Sequence, residues 1–197
     1  MNVGVLALQG DVPEHLRALR TAAASREVLP VRRPSDLERV DALFLPGGES
    51  TTIARLLQAT GLWEPMRRRI EGGLPVLATC AGLILLARNL EPSPAGRDPP
   101  TLGLLDVSVR RNDYGAQRES FEQSVRIEGL VGPPFPGVFI RAPRILSVGP
   151  TANAFAWRGS EVVGVRSGAR WGLTFHPELS SDLRLHERFL SEFAPRR

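Results

Sequence analysis

The stretch LATCAGLILLA at residues 77–87 decides how the rest of the chain is read. It continues PVLAT at 75–79, an apolar run of the kind a strand buried on both faces requires, and it passes through Cys80-Ala81-Gly82 into a second apolar run predicted to be helical to about Asn89. Cys80 therefore sits where a buried strand hands over to a helix. A side chain on such a turn is held clear of its own backbone, with amide N–H groups directed at the space in front of it. Cys80 is either core filler or a nucleophile. It is the one cysteine of the chain, which rules out an internal disulfide and a cysteine-cluster metal site.

Upstream, NVGVLAL at 2–8 is β-rich and is followed by Gln9-Gly10-Asp11. Asp11 with Glu14 predicts a capping box for a helix whose apolar face is Leu16, Leu19 and Ala23. VLPV at 28–31 and ALFLP at 42–46 follow at intervals that fit strand, helix, strand alternation. After Pro46-Gly47-Gly48-Glu49, the cluster Ser50, Thr51 and Thr52 is expected to cap a helix carrying Ile53, Leu56 and Leu57, which Gly61 ends. Pro and Gly crowd residues 92–103, a predicted surface loop, and beyond it the chain breaks into short β-like runs: LLDVSV, SVRI, GVFI, ILSV, EVVGV and RWGLTF. A last helix is predicted from about Ser181 to Phe193, with Leu185, Phe189 and Phe193 on one face. No internal repeat and no polar linker divides the chain. It reads as one α/β domain over 1–197, with a parallel sheet core and antiparallel additions in the second half.

Composition narrows the chemistry. At 197 residues, 42% hydrophobic and 23% charged, the chain can bury a real core. All 25 basic residues are Arg, and that absence of Lys excludes a lysine Schiff base and the GxxxxGK[ST] phosphate loop. The net charge of +4 is scattered, a weak nucleic-acid signal, and Arg67–Arg69 read as a solvated helix face. Apolar stretches such as GLILLA fall far short of the roughly 20 residues of a membrane span, and residues 1–10 lack the pattern of a secretory signal, so a cytoplasmic protein with no membrane and no nucleic-acid partner is expected.

A cysteine nucleophile needs a base, and His15, His176 and His186 are the three available. His15 and His186 fall in the first and last helices. His176 ends the run RWGLTF and is followed by Pro177 and Glu178, and in extended backbone residues two apart face one side. Glu178 can then fix the imidazole tautomer and leave its other nitrogen for Cys80, the triad logic in a Cys-His-Glu form. Gly47-Gly48 after a buried strand can turn a peptide N–H toward a developing negative charge. Each feature also has an inert reading: a core cysteine, a merely hydrogen-bonded histidine, a plain turn.

Taken together the chain resembles class I (triad-type) glutamine amidotransferases, and within them the glutaminase subunits of pyridoxal 5'-phosphate synthases. The resemblance is carried by GVLALQGDVPEH at 4–15, LFLPGGEST at 43–51, TCAGLILLA at 79–87, GLLDVSVRRNDYGAQRESFE at 103–122, GVFIRAP at 137–143 and TFHPELSSD at 174–182. It implies a three-layer fold with a mostly parallel central sheet flanked by helices. It implies Cys80 as nucleophile on the glutamine amide, His176 as base then acid, and Glu178 as the residue orienting it. Gly48 and Ala81 would supply oxyanion N–H groups, and Gly47, Gly48, Glu49, Arg111, Ile140 and Arg141 match the glutamine-binding positions. A guanidinium can grip an α-carboxylate through two parallel hydrogen bonds.

No cofactor and no metal is implied. The implied partners are L-glutamine and a TIM-barrel synthase subunit in a large hetero-oligomeric complex, with Gln9 and Gly10 at the interface. Two positions depart from the pattern: Ala78 stands where the family commonly has Gly, and Tyr114-Gly115-Ala116-Gln117 has Ala116 where it commonly has Arg. Two other readings stand beside this one, a glutaminase serving another acceptor such as imidazole glycerol phosphate synthesis, and a non-catalytic Arg-rich binding module.

Overall fold

The computed structural model describes residues 1–23, 26–93, 96, 98–111 and 120–193. In chain order the elements are β1 (Val3–Leu6), α1 (Val12–Ala22), β2 (Val28–Val31), α2 (Pro34–Leu37), β3 (Ala42–Leu45), α3 (Ser50–Ala59), α4 (Trp63–Glu71), β4 (Val76–Thr79), α5 (Ala81–Leu86) and β5 (Ala87–Leu90). They continue as β6 (Leu105–Arg110), β7 (Phe121–Ile127), β8 (Phe135–Phe139), β9 (Arg144–Val148), β10 (Asn153–Arg158), β11 (Glu161–Ser167), β12 (Arg170–Leu173), a 3-10 turn (Pro177–Leu179) and α6 (Arg184–Glu192). Among the described residues nine strands form one sheet in the order β2-β1-β3-β4-β12-β11-β10-β7-β8. The stretch from β2 to β12 is parallel, and every pairing beyond β12 is antiparallel. A smaller sheet, β5-β6-β9, packs beside it.

Period-two alternation sends each central strand into two cores. Leu43 and Leu45 of β3 and Val76 and Ala78 of β4 join the helices α3, α4 and α5 on one face. On the other, Phe44 and Leu77 join Trp171 and the helices α1 and α6 through Leu19, Leu185 and Phe189. The result is helix, sheet, helix in three layers. Trp171 anchors the second core, with Phe155 and Phe189 at ring-centroid distances of 4.9 and 5.4 Å. Fully burying one such side chain is worth about 1.5–3 kcal/mol.

Several boundaries differ from the sequence expectations. The helix after Cys80 ends at Leu86, not near Asn89, because Ala87–Leu90 is claimed as a strand by pairing with β6 (Ala87↔Leu105, Leu90↔Val109). The last helix begins at Arg184, where Asp182 Oδ1 accepts from the Arg184 backbone N–H at 3.0 Å. The helix that the alternation places between β2 and β3 is a single turn, α2; Asp36 Oδ2 accepts from Arg32 and Arg33 N–H at 3.1 and 3.2 Å and pins its start. Of the arginine triplet, Arg67 pairs with Glu71 on the surface at 2.8 Å, whereas Arg69 donates to the carbonyls of Leu37 and Val40 at 3.1 and 2.8 Å and ties α4 to α2. No helix among the described residues is long and apolar enough to cross a membrane.

Candidate active site

The parallel strands β1, β3, β4 and β12 all end at one edge of the sheet, and chemistry-bearing residues follow each of them: Asp11, Gly48 and Glu49, Cys80, and His176. Ligand clefts in α/β sheets form at this carboxyl edge. Cys80 caps α5 with φ 47° and ψ −103°, its N–H bonded to the Leu173 carbonyl at 2.9 Å. A left-handed φ on a residue with a side chain costs on the order of 1–3 kcal/mol and is kept only where the surroundings enforce it. Here they do. Gly82 is packed so tightly under β3 that a Cβ on it would stand 2.4 Å from the Leu45 carbonyl oxygen. Ala78 is fully buried on the same face.

Among the described residues only two other than glycine have a positive φ, Cys80 and Arg141 at 42°, and both line one cavity of about 150 Å³. Gly48, Glu49, Arg111, Ile140 and His176 line it too. Its size suits a small metabolite rather than a nucleotide. Cys80 is 6% exposed and His176 3%, so sulfur and imidazole meet the cavity at its floor. The Cys80 Sγ lies 3.9 Å from the Ile140 carbonyl oxygen.

The imidazole is fixed from behind. His176 Nδ1 lies 2.8 Å from Glu178 Oε1, and its backbone N–H donates to the Val138 carbonyl at 2.8 Å. Sequence alternation places these two residues on an extended strand; in the structure β12 has already ended at Leu173, and the 3-10 turn Pro177–Leu179 delivers the carboxylate instead. With Nδ1 engaged, Nε2 is the nitrogen left over, buried and without a hydrogen-bond partner among the described residues. Burial disfavours the imidazolium, but Asp11, Cys80 and Glu178 together outweigh it and push the His176 pKa well above its ordinary value. Glu178 is moved the other way, burial again opposing, with His15 and His176 holding it ionised.

The remaining sequence candidates are placed as follows. Gly47 lies under the imidazole, where a Cβ would stand 2.3 Å from His176 Cε1. Ala81 is buried at the first position of α5, so its N–H has no acceptor within the helix. Glu49, not the Ser50–Thr52 cluster, caps α3: its carboxylate accepts from Thr51 and Thr52 N–H at 3.0 and 2.7 Å. Although partial burial opposes it, the Thr52 hydroxyl, which donates to the same carboxylate at 2.7 Å, and those backbone bonds pull the Glu49 pKa down to about 2. Arg111 reaches Glu49 at 3.3 Å and Asp98 at 3.5 Å. The Gln9 side-chain oxygen accepts from the Glu49 N–H at 2.8 Å. Tyr114, Gly115, Ala116 and Gln117 lie outside the described residues.

Two neighbours, His15 and Asp11, were not among the sequence candidates for the site. His15 is fully buried, its Nε2 3.3 Å from Glu178 Oε1 and 3.2 Å from Thr79 Oγ1. Asp11 makes no capping bond to α1; its Oδ2 lies 3.2 Å from His176 Nδ1. The signal was present in the i, i+4 spacing of Asp11 and His15, which puts both on one side of the first turn of α1. Asp11, His176 and Glu178 bring possible ligand atoms within 4.8 Å of one another.

A sequence profile of the SNO glutamine amidotransferase family matches residues 5–195. The chain is 50% identical over 188 residues to the pyridoxal 5'-phosphate synthase subunit PdxT of Streptomyces avermitilis, covering 95% of this chain and 92% of that protein. It is 49% identical over 195 residues to the protein of the same name from Thermococcus onnurineus, covering 96% and 98%. A crystal structure of a glutamine amidotransferase superposes with a TM-score of 0.88 at 43% identity, covering 98% of this chain and 99% of that one.

Proposed function

The chain belongs to the SNO glutamine amidotransferase family, and from that membership we propose that it hydrolyses L-glutamine to L-glutamate and ammonia as the glutaminase subunit of a pyridoxal 5'-phosphate synthase. The observation that carries the proposal is one cavity shared by a sulfur on a strained strand-to-helix turn and an imidazole whose far nitrogen is held by a buried carboxylate. All of residues 1–197 act as one glutaminase domain.

Cys80 Sγ attacks the side-chain amide carbon of glutamine, with His176 supplying the positive charge that a sulfur nucleophile needs beside it. The C–N bond breaks as His176 passes a proton to the leaving ammonia, and a glutamyl thioester remains. His176 then takes a proton from water, which attacks the thioester and releases glutamate. Glu178 keeps the imidazole in the required tautomer. The N–H groups of Gly48 and Ala81 stabilise both tetrahedral oxyanions, each donor worth ~100- to 1,000-fold in rate. Arg111 and Arg141 grip the α-carboxylate, while Gly47, Glu49 and Ile140 shape the remaining wall.

Ammonia released to water is protonated and lost as a nucleophile. A chain without lysine cannot form a lysine imine with a sugar phosphate, so the consuming step is assigned to a second subunit. By the family resemblance that partner is a TIM barrel, the assembly a large cytoplasmic hetero-oligomer, and Gln9 and Gly10 belong to the contact. The deciding experiment is a glutaminase assay of the wild type and Cys80→Ala with and without the cognate synthase. Turnover should rise on docking and vanish in Cys80→Ala; turnover indifferent to the synthase removes the coupling, and turnover without the thiol removes the mechanism.

A further inference from the structure

The Nδ1 nitrogen of His176 carries one hydrogen, yet two carboxylates reach it: Glu178 Oε1 at 2.8 Å and Asp11 Oδ2 at 3.2 Å. They approach from different elements and differ in setting. Glu178 rides the 3-10 turn and its side chain is sealed from solvent, whereas the Asp11 side chain is 35% exposed and lines the cavity. Asp11 occupies the N-cap position of α1, where a carboxylate ordinarily accepts from the next turn of backbone, and it makes no such bond. Its own N–H is tied to the Gly47 carbonyl at 3.2 Å, which aims the side chain across Gly47. Gly47 leaves room for that crossing: a Cβ there would stand 2.8 Å from Asp11 Oδ2 and 3.0 Å from His176 Nδ1. An unused cap, a tethered backbone and a bare glycine over which carboxylate and imidazole meet are three independent features with one geometry.

We propose that Asp11 is a second positioning carboxylate for His176, sharing the Nδ1 hydrogen with Glu178 so that the imidazole keeps its tautomer when either acid is removed. The inference rests on the assignment of His176 as the catalytic base. The other titratable or charged groups around the imidazole are Cys80, Glu49, Arg111 and Arg141 on the cavity wall, and His15 beyond Glu178. Asp11 adds a second carboxylate beside Nδ1 and supports the imidazolium from there, in line with its part in raising the His176 pKa.

The test uses the chain docked on its synthase and five variants: Asp11→Asn, Asp11→Glu, Glu178→Gln, the Asp11→Asn/Glu178→Gln double, and Cys80→Ala. Asp11→Asn should lower kcat with KM for glutamine within about twofold. It should move the basic limb of both the pH–rate profile and the pH profile of Cys80 alkylation by iodoacetamide down by about one pH unit or more, the usual influence of a charge at this distance. Asp11→Glu should restore both limbs. Glu178→Gln should retain turnover that the double variant loses by a further tenfold or so, a coupling of the size found within one hydrogen-bond network. Superimposable pH profiles for Asp11→Asn and wild type, or equal turnover of Glu178→Gln and the double, overturn the role of Asp11. Cys80→Ala keeps the two questions apart: if it is inactive while the Asp11→Asn profile is unmoved, only the second carboxylate falls, and if it turns over, the mechanism itself falls.

Discussion

His15 Nε2 stands 3.3 Å from Glu178 Oε1, and neither side chain is touched by solvent. The carboxylate is thus clasped by two imidazoles, one from the first helix and one from the turn after the last strand of the sheet. Replacing His15 by Leu takes a hydrogen-bonding partner from a buried carboxylate, and a hydrogen bond to a charged group is worth about 1.5–3 kcal/mol. His15→Leu should therefore unfold at markedly lower denaturant and lose glutaminase turnover with little change in KM, and His15→Gln should recover part of both. A His15→Leu protein as stable as wild type would show that the contact holds nothing.

The same network fixes how stability depends on pH. His176 has its pKa raised in the fold, so its contribution is complete below the unfolded value near 6.5 and is lost as pH climbs toward the folded value. Glu178 is depressed, so its contribution is complete above the unfolded value near 4.5 and is lost as pH falls below it. These two groups together put the stability maximum between those limits. The unfolding free energy should decline from pH 7 to 9 with a slope approaching ~1.4 kcal/mol per pH unit for one proton. The decline should flatten in His176→Gln, and an unchanged slope there would exclude His176 as its source.

Gly47→Ala tests the floor of the cleft. The added methyl would lie 2.3 Å from His176 Cε1, a contact that only displacement of the ring can relieve. An ångström of misplacement in a catalytic group is worth on the order of 100-fold in rate. Turnover should fall by about that factor, with circular dichroism unchanged and stability lowered only by the ~1–3 kcal/mol that overpacking costs.

Arg141→Ala removes a guanidinium but keeps the strained backbone that only this residue and Cys80 share among described residues other than glycine. If the side chain grips the α-carboxylate, the loss of charged hydrogen bonds at about 1.5–3 kcal/mol should raise KM for glutamine tenfold or more. Affinity for a glutamine analogue lacking the α-carboxylate should not change. Arg141→Lys should not rescue the variant, since an ammonium cannot bond in two parallel directions.

The sheet edge and the placement of Cys80 on it were legible because they rest on local pattern. VLAT has to be a two-sided strand, and a cysteine at its end followed by Ala81-Gly82 has to be a turn into a helix. Contacts that bridge distant segments left no such trace. Asp11 and Glu14 spell a capping box, yet the carboxylate is drawn off by His176, a competitor that local rules cannot see. Glu49 displaced Ser50 as the cap of α3 for a comparable reason: its backbone is held by Gln9, one strand away. Ala87–Leu90 has helical company on one side, but pairing with β6 outbids it. His15 looked like an ordinary helix residue, since nothing in its neighbourhood announces the carboxylate waiting across the core.

β3, β4 and β12 lie side by side in the sheet, with Leu45 beside Ala78 and Leu173 beside Thr79. Spacing between the loop bearing Gly48, the thiol and the imidazole is thus inherited from the ladder rung, about 4.8 Å per strand, instead of being negotiated by flexible segments. Connections elsewhere can lengthen or shorten without disturbing it. A slip of β4 by a single residue cannot: it would exchange the faces of Leu77 and Ala78 and carry the sulfur out of line with both neighbours. The distance between Cys80 and its neighbours is in effect a dimension of the backbone lattice, which loop length does not set.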